Sequence, residues 1–296
     1  MRDKGNHIIT SAFEHPAVLA VCRYLEKEGF ETTYLPVGSQ GVVDPTDVSS
    51  AIRSTTVLIT IMHANNEVGT IQPIAEIASL ARQHNIAMHT DAAQSVGKWP
   101  TDVQQMGVDL LSIAGHKVYA PKGIGALYVR SPLQPQKFCH GAGQEMGRRA
   151  GTENVMQIVG LGKACEIAAQ DLSAHMAHMR RLRDRFYEIV AQSDVSVRLN
   201  GHPLDRLPNT LSLSFKGLEA DRILEKIGPK VAASAGAACH SDAVEISHVL
   251  RAMNVPEKWA KGTVRFSIGR MTTIEEIHKA GEVVIRAVKQ MRQPDL

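Results

Sequence analysis

An acidic residue and a lysine each follow an apolar segment in the middle of the chain. Asp91 ends the segment IAMHTD, and Lys117 ends the segment DLLSIAGHK. Residues just past the carboxyl ends of strands in an α/β sheet point into a shared crevice, so we expect Asp91 and Lys117 to converge there. An amine can form a Schiff base with a cofactor aldehyde, and a carboxylate can keep a pyridine nitrogen protonated so that the ring acts as an electron sink. The pair therefore predicts a site for a pyridine-ring cofactor.

Spacing alone leaves other roles open for these two residues. A lysine at a strand end is more often a solvated surface charge, and an aspartate there often caps the next helix. Gln94 follows Asp91 in the same turn, and all three side chains can project from adjacent strand ends. Together they favour the cofactor interpretation.

Strand and helix patterns alternate over the first two-thirds of the chain, which is typical of a mostly parallel sheet covered by helices. Strands are predicted at 7–13, 32–37, 56–63, 86–91, 109–115 and 125–130, and helices at 16–28, at 73–84 and near Val103. Both longer helices begin at a proline, which the first helical turn accepts because its N–H needs no partner there. We therefore predict an α/β fold.

The composition changes after this alternating part. Residues 131–151 are rich in Pro, Gln, Gly and Arg, which is typical of a loop that reaches over a site or a neighbour. One long helix is predicted from 155 to about 192 as the connector between domains. Strands at 210–215 and 264–268 and helices at 220–227 and 272–291 follow, the last opening with the capping-box sequence TTIE. We expect a large domain at 1–170 and a smaller α+β domain at 171–296.

Charge and cysteine spacing exclude several classes of protein. The chain has 33 basic and 30 acidic residues, a net charge of +3, so nothing indicates nucleic-acid binding. The four cysteines are far apart and form no CxxC pair, which argues against a structural zinc site, a disulfide framework or any metal site. Neither a signal-peptide core nor an apolar run long enough for a membrane helix is present. We expect a cytoplasmic protein that binds no membrane.

Several motifs together resemble one known family. HTDAAQ, GHK and PKGIGALYVR are similar to segments of the cysteine desulfurases, which are fold-type I pyridoxal-phosphate enzymes of the class V aminotransferase group. The resemblance extends over essentially the whole chain, through the further motifs EH (14–15), ANNEVG (64–69), GRRAGTEN (147–154), SAGAACHS (234–241) and VRFSIGR (264–270). It implies a pyridoxal-phosphate-dependent-transferase-like large domain and pyridoxal 5′-phosphate as the cofactor.

The resemblance assigns roles around the cofactor. Lys117 resembles the lysine that holds the cofactor and moves protons at the substrate α-carbon, and Asp91 resembles the partner of the ring nitrogen. His15 resembles the imidazole that stacks on the ring; on its own it would more often be a histidine satisfied at a strand end. The remaining cofactor residues implied by the resemblance are Asn66, Gln94, His116 and Thr152, of which Thr152 reaches the phosphate of the partner subunit. A homodimer is therefore implied.

The resemblance also assigns the substrate chemistry. Cys239 would attack the substrate sulfur as a thiolate and keep that sulfur as a persulfide, while L-cysteine becomes L-alanine. Arg265 resembles the arginine that binds the substrate carboxylate, with Asn66 nearby, and Arg270 is a weaker candidate for that role. The segment from Cys239 to His248 is as long as in the subgroup that passes sulfur to acceptor or scaffold proteins, as in iron–sulfur cluster assembly.

Two features depart from the family pattern. Ala114 stands where desulfurases often have a serine that bonds the cofactor phosphate. Family members also carry a segment before HIITSAFEH with a phosphate-binding loop at a helix N-terminus, and this sequence has no equivalent of it. We therefore expect weak cofactor binding and low stability when the chain is expressed alone.

Three other functions stay open at this point. SAGAACHS is at least as similar to the selenocysteine lyases, whose substrate is L-selenocysteine. A chain without the phosphate loop could act only as a binding module that dimerises or docks on sulfur-acceptor proteins. A class V aminotransferase is a weaker alternative, because transamination needs no cysteine among small residues.

Overall fold

Six strands form a mostly parallel sheet in the first half of the protein. The computed structural model describes residues 4–236 and 246–292. The strands are β1 (His7–Ser11), β2 (Glu31–Leu35), β3 (Thr56–Thr60), β4 (Ala87–Asp91), β5 (Leu110–Ala114) and β6 (Gly125–Val129). Their order is β2-β1-β3-β4-β5-β6, and every neighbouring pair is parallel except β5 and β6. This confirms the predicted α/β class with a mostly parallel sheet.

Four helices connect these strands. They are α1 (Pro16–Lys27), α2 (Pro45–Ala51), α3 (Ile74–Gln83) and α4 (Val103–Met106). On α3, Ile74, Ile77, Ala78 and Ala81 are buried at helical spacing and pack against the sheet. Helix α2 was not predicted from the sequence, although Asp44 caps it by accepting a hydrogen bond from the Thr46 backbone N–H at 2.8 Å.

A second, four-stranded sheet lies in the C-terminal part of the chain. Its strands are β7 (Val197–Asn200), β8 (Thr210–Phe215), β9 (Ser234–Ala235) and β10 (Thr263–Ser267), in the order β7-β8-β10-β9. The helices of this part are α5 (Val155–Gln170), α6 (Leu172–Ala191), α7 (Ala220–Ile227), α8 (His248–Ala252), α9 (Glu257–Ala260) and α10 (Ile274–Arg292). A capping box does open α10, but one residue later than the predicted TTIE (272–275): the Thr273 N–H donates to Glu276 Oε2 and the Glu276 N–H donates to Thr273 Oγ1.

The long helix predicted from 155 to about 192 is wrong. It is two helices that meet at Asp171, whose backbone is not helical (φ −118°, ψ 21°). The two segments pack on different partners, which is the physical reason for the break. Ala164 and Ala168 of α5 pack near Val118, whereas α6 packs on the second sheet through Leu182 and other apolar residues.

The two sheets have separate cores. The first core surrounds β1, β3 and β4, and it also receives Val249 and Leu250 of α8. The second core lies between the four-stranded sheet and helices α6, α7 and α10. Residues 246–260 therefore link the C-terminal part to the first sheet, and the division into domains at 170/171 stays a prediction. In the described ranges, no helix combines the length and apolarity needed to cross a membrane.

Candidate active site

A cavity of about 610 Å³ lies at the carboxyl ends of β3, β4 and β5. Parallel strands bring their carboxyl ends to one edge of the sheet, so polar residues that are distant in sequence meet there. Seven residues singled out in the sequence line this cavity, namely His15, Asn66, Asp91, Gln94, His116, Lys117 and Arg265. Arg270 does not line it; its guanidinium lies over the Tyr119 ring, 4.4 Å from the centroid.

Asp91 and Lys117 converge as their strand-end positions predict. Asp91 ends β4, and its Oδ1 accepts a hydrogen bond from the Ala93 N–H at 2.9 Å. Lys117 ends a 3-10 turn, Gly115–Lys117, directly after β5. A Cβ at Gly115 would lie 2.7 Å from the Ile124 carbonyl oxygen, so glycine lets this turn lie close to β6.

The surroundings of Lys117 favour its neutral amine. Burial lowers the pKa of Lys117, and the positive charge of Arg265 lowers it further. A lysine must be deprotonated to attack an aldehyde, so both effects favour the reactive form.

His15 caps helix α1 at the rim of the cavity. Its Nδ1 accepts a hydrogen bond from the Ala17 N–H at 3.1 Å, which places the ring proton on Nε2 in the neutral form. Burial lowers the pKa of His15, although the Asp91 charge opposes this shift. The imidazole is therefore neutral at physiological pH, and its Nε2–H is not used by the cap.

Glu14 is a buried carboxyl group that the sequence analysis assigned no role. It accepts a hydrogen bond from Ser11 Oγ at 2.6 Å and from the Met62 N–H at 3.0 Å. Burial raises the pKa of Glu14 to about 8, and the Asp91 charge acts in the same direction. Glu14 is therefore protonated at neutral pH and joins the end of β1, next to His15, to the end of β3.

Asn65 shapes the loop that presents Asn66. The Asn65 Oδ1 accepts hydrogen bonds from the backbone N–H groups of Glu67 and Val68, at 2.8 and 3.0 Å, and its Nδ2 donates to the Phe13 carbonyl oxygen. This side-chain turn is a common role for asparagine. Asn65 was not singled out from the sequence, although the pair Asn-Asn before Glu67 is a turn signal. Asn66 itself lines the cavity, and its buried Oδ1 has no hydrogen-bond partner among the described residues.

Arg265 brings the second sheet to the cavity. It lies on β10, and its Nη1 donates to the Asn66 carbonyl oxygen at 2.8 Å. Its Nη2 donates to Ser234 Oγ at 3.3 Å, while its buried Nε has no partner in the described ranges. The guanidinium is thus fixed at one end and keeps donor capacity for an incoming carboxylate.

Two predicted residues are left, Thr152 and Cys239. Thr152 is exposed in the segment between β6 and α5, and it does not line the cavity. Cys239 lies outside the described residues. The roles assigned to both stay predictions.

The residues present fit pyridoxal phosphate. The cavity offers an amine for the aldehyde at Lys117, a carboxylate for the ring nitrogen at Asp91 and an imidazole at His15. The unpartnered Asn66 Oδ1 and Arg265 Nε add polar groups that still need a ligand. This donor set matches the groups of a pyridine aldehyde that carries an amino-acid substrate.

Comparison with known proteins decides the family. The sequence profile of the Aminotransferase class-V family matches residues 2–279. The cysteine desulfurase IscS of Dictyoglomus turgidum is 48% identical over 290 residues, which cover 98% of this chain and 74% of that protein.

The chain belongs to the cysteine desulfurase family. Its fold agrees, because a solved NifS-like protein superimposes with a TM-score of 0.90 at 34% identity, covering 97% of this chain and 76% of the other. SspA, solved in complex with cysteine, has a TM-score of 0.76 at 38% identity, covering 91% of this chain and 75% of that one. The cysteine desulfurases depend on pyridoxal 5′-phosphate, which is the cofactor of this enzyme.

Proposed function

We propose that this desulfurase removes sulfur from L-cysteine and leaves L-alanine and a persulfide on Cys239. The observation that carries the proposal is the convergence of Lys117, Asp91, His15 and Arg265 on one cavity. The cofactor, when bound, supplies a protonated ring that withdraws electrons from the substrate carbon atoms. The chain's own residues do the rest.

Binding and orientation come first. Lys117 would hold the cofactor aldehyde, and Asp91 would keep the ring nitrogen protonated through ion pairing. Arg265 would bind the substrate carboxylate with Nε and Nη2, since Nη1 is already bonded to the loop at Asn66. Gln94 and Asn66 would bond the polar atoms near the ring oxygen, and His116 the phosphate side.

Sulfur transfer is the next step of the proposal. The Cys239 thiolate attacks the substrate Sγ, so an S–S bond forms while the substrate Cβ–Sγ bond breaks. The electron pair of the broken bond stays with Cβ, and Cβ takes up a proton to give alanine. The transferred sulfur is oxidised to the persulfide level, and the substrate Cβ is reduced to a methyl group. The electrons lost by the sulfur are those gained by the carbon, so no external oxidant is required. Lys117 would move the proton at the α-carbon. Its lowered pKa suits this role, because an amine with a pKa closer to neutral pH can both accept and donate a proton.

A homodimer is part of this proposal. Phe138, Met146 and Met156 expose 84–88% of their surface. The first two precede Thr152 in the segment between β6 and α5, and Met156 follows it in the first turn of α5. Large apolar side chains this exposed favour a surface that another protein covers. A second copy seated there would bring its neighbour's Thr152 toward the cofactor phosphate. Sulfur-acceptor or scaffold proteins would then take the persulfide sulfur.

We also infer that the enzyme works in the reducing environment of the cytoplasm. Cys22, Cys139 and Cys165 are free thiols in the structure. Free thiols are typical of proteins in a reducing compartment, where disulfides are rare.

Substrate preference is tested by measuring alanine release from L-cysteine and from L-selenocysteine at equal concentrations. The proposal expects turnover on L-cysteine that is lost in Lys117→Ala and kept in Lys122→Ala, whose exposed lysine follows the active-site turn. Turnover on selenocysteine alone would assign the enzyme to the selenocysteine lyases. No turnover on either, with the cofactor bound, would favour a binding module.

A further inference from the structure

Glu67 is a half-buried acidic residue next to Asn66, which lines the cavity. Its Oε2 accepts a hydrogen bond from Ser247 Oγ at 2.6 Å, and its backbone N–H is held in the turn made by Asn65. Arg265 and Asn66 line the cavity, whereas Glu67 does not. Its carboxylate therefore contacts other residues of the protein and does not face the substrate cavity.

The Glu67 charge acts on Arg265. Each of the two groups stabilises the charged form of the other, although burial opposes ionisation of both. Arg265 is bonded to the carbonyl oxygen of Asn66, the residue next to Glu67. In the described ranges, the ion pairs include no direct contact between Glu67 and Arg265, so the two charges interact through space.

A partly buried guanidinium with no nearby negative charge is unfavourable in the free enzyme. Glu67 provides that charge before substrate arrives. A substrate carboxylate that binds Arg265 adds a second negative charge to the same neighbourhood, and like charges repel. The resident acid thus opposes the substrate at the same time as it stabilises the arginine.

We propose that Glu67 is the resident counter-ion of Arg265 and sets the affinity with which Arg265 binds a substrate carboxylate. This inference rests on the proposed role of Arg265. Glu67 is a positioning residue, because it acts on the substrate only through Arg265. Its ionisation makes carboxylate affinity depend on pH.

The groups around the pair fix the sign of this dependence. Burial raises the pKa of Glu67 to about 7, against the opposing effects of the Ser247 hydrogen bond and the Arg265 charge. Lys117 faces Arg265 from the cavity side, and Ser247 faces Glu67 from the start of α8. Below this pKa Glu67 is neutral and does not repel the carboxylate, whereas above it the anion weakens carboxylate binding.

The experiment compares wild type with Glu67→Gln, whose amide oxygen can still accept the Ser247 hydrogen bond. The dissociation constant of L-alanine is measured from the change in cofactor absorbance of the holoenzyme between about pH 6 and pH 8.5. Alanine has the carboxylate but no sulfur, so it reports binding without turnover. We expect Glu67→Gln to bind alanine about threefold to tenfold more tightly than wild type at the upper pH, and equally well at the lower pH.

Two further variants make the test decisive. Ser247→Gly removes the hydrogen bond that stabilises the Glu67 anion, so the pH at which alanine affinity changes should rise. Glu76→Gln removes an exposed charge on α3 and should leave the pH profile unchanged. Weaker alanine binding in Glu67→Gln, or the same pH profile as wild type, would overturn the inference while leaving the role of Arg265 intact. Unchanged alanine binding in Arg265→Lys would instead remove the proposed role of Arg265 and the inference with it.

Discussion

Arg265 on β10 donates a hydrogen bond from Nη1 to the Asn66 carbonyl oxygen at 2.8 Å, and this contact joins the second sheet to the loop after β3. The two residues are almost two hundred positions apart in the chain. Nη1 is used in this bond and Nη2 also donates to Ser234 Oγ, but Nε has no partner among the described residues and Nη2 has a second N–H, so both can still donate to a carboxylate. A lysine has no such fork and can only provide a point charge.

Arg265→Lys should therefore raise KM for L-cysteine by about tenfold or more, equivalent to ~1.4 kcal/mol of lost binding free energy. The effect on kcat should be smaller, since the charge remains. Steady-state alanine release measures both constants. Arg222→Lys, on an exposed arginine of α7, is the matched control, and an equal change in both variants would refute a carboxylate role for Arg265.

His15 caps α1 and has a proposed role at the cofactor ring, and one substitution separates the two. Asparagine is a good N-cap, so His15→Asn should keep the hydrogen bond from the Ala17 N–H and change the free energy of unfolding by less than about 0.5 kcal/mol. The ring is lost, so turnover should fall by about 100-fold or more if the imidazole acts on the cofactor. His15→Ala should lose turnover and also about 1 kcal/mol of stability.

Thermal unfolding and alanine release on these two His15 variants provide the measurement. Normal turnover in His15→Asn would reduce His15 to a helix cap.

Glu14 should make stability fall with increasing pH. Its pKa is about 8 in the folded protein, against an ordinary value of 4.5. Between these values the folded protein keeps the proton that the unfolded chain has lost, so the free energy of unfolding decreases as pH rises. The contribution is complete below pH 4.5 and is lost by about pH 8. Its size is on the order of a few kcal/mol.

Glu14→Gln keeps a neutral side chain that can accept the Met62 hydrogen bond at every pH. Urea unfolding at about pH 5 and pH 8 should show that the stability advantage of wild type over this variant shrinks at the higher pH. Glu76→Gln, on the exposed face of α3, controls for the general effect of removing a carboxylate. An identical pH dependence in wild type and Glu14→Gln would show that Glu14 is ionised in the folded protein.

The sequence predicted the parts of the site that follow from strand ends. Asp91 and Lys117 lie at the ends of adjacent apolar segments. When these segments pair as parallel strands, their carboxyl ends lie at the same edge of the sheet, so the two residues come together there. Arg265 could not be placed in this way, because its position depends on the contact between two sheets. Its assignment came from the resemblance to the desulfurases.

Other features depend on partners that no local pattern shows. Glu14 matters because it accepts a hydrogen bond from the Met62 N–H, just past the end of β3. The break at Asp171 occurs because the helices before and after it pack on different cores, although the helical pattern continues through the residue. Contacts of this kind form only when the chain is folded, so sequence period alone could not predict them.

Cys239 is central to the proposed chemistry, and the position of the transferred sulfur is the direct test of it. The holoenzyme is given one equivalent of L-cysteine without reductant, its thiols are alkylated, and the peptides are analysed by mass spectrometry while alanine is counted. We predict one alanine per added sulfur atom, with that sulfur on the peptide that contains Cys239. Cys239→Ser should abolish both, and Cys139→Ser should change neither. Sulfur found on the Cys139 peptide, or alanine formed at the wild-type rate by Cys239→Ser, would contradict the proposed function.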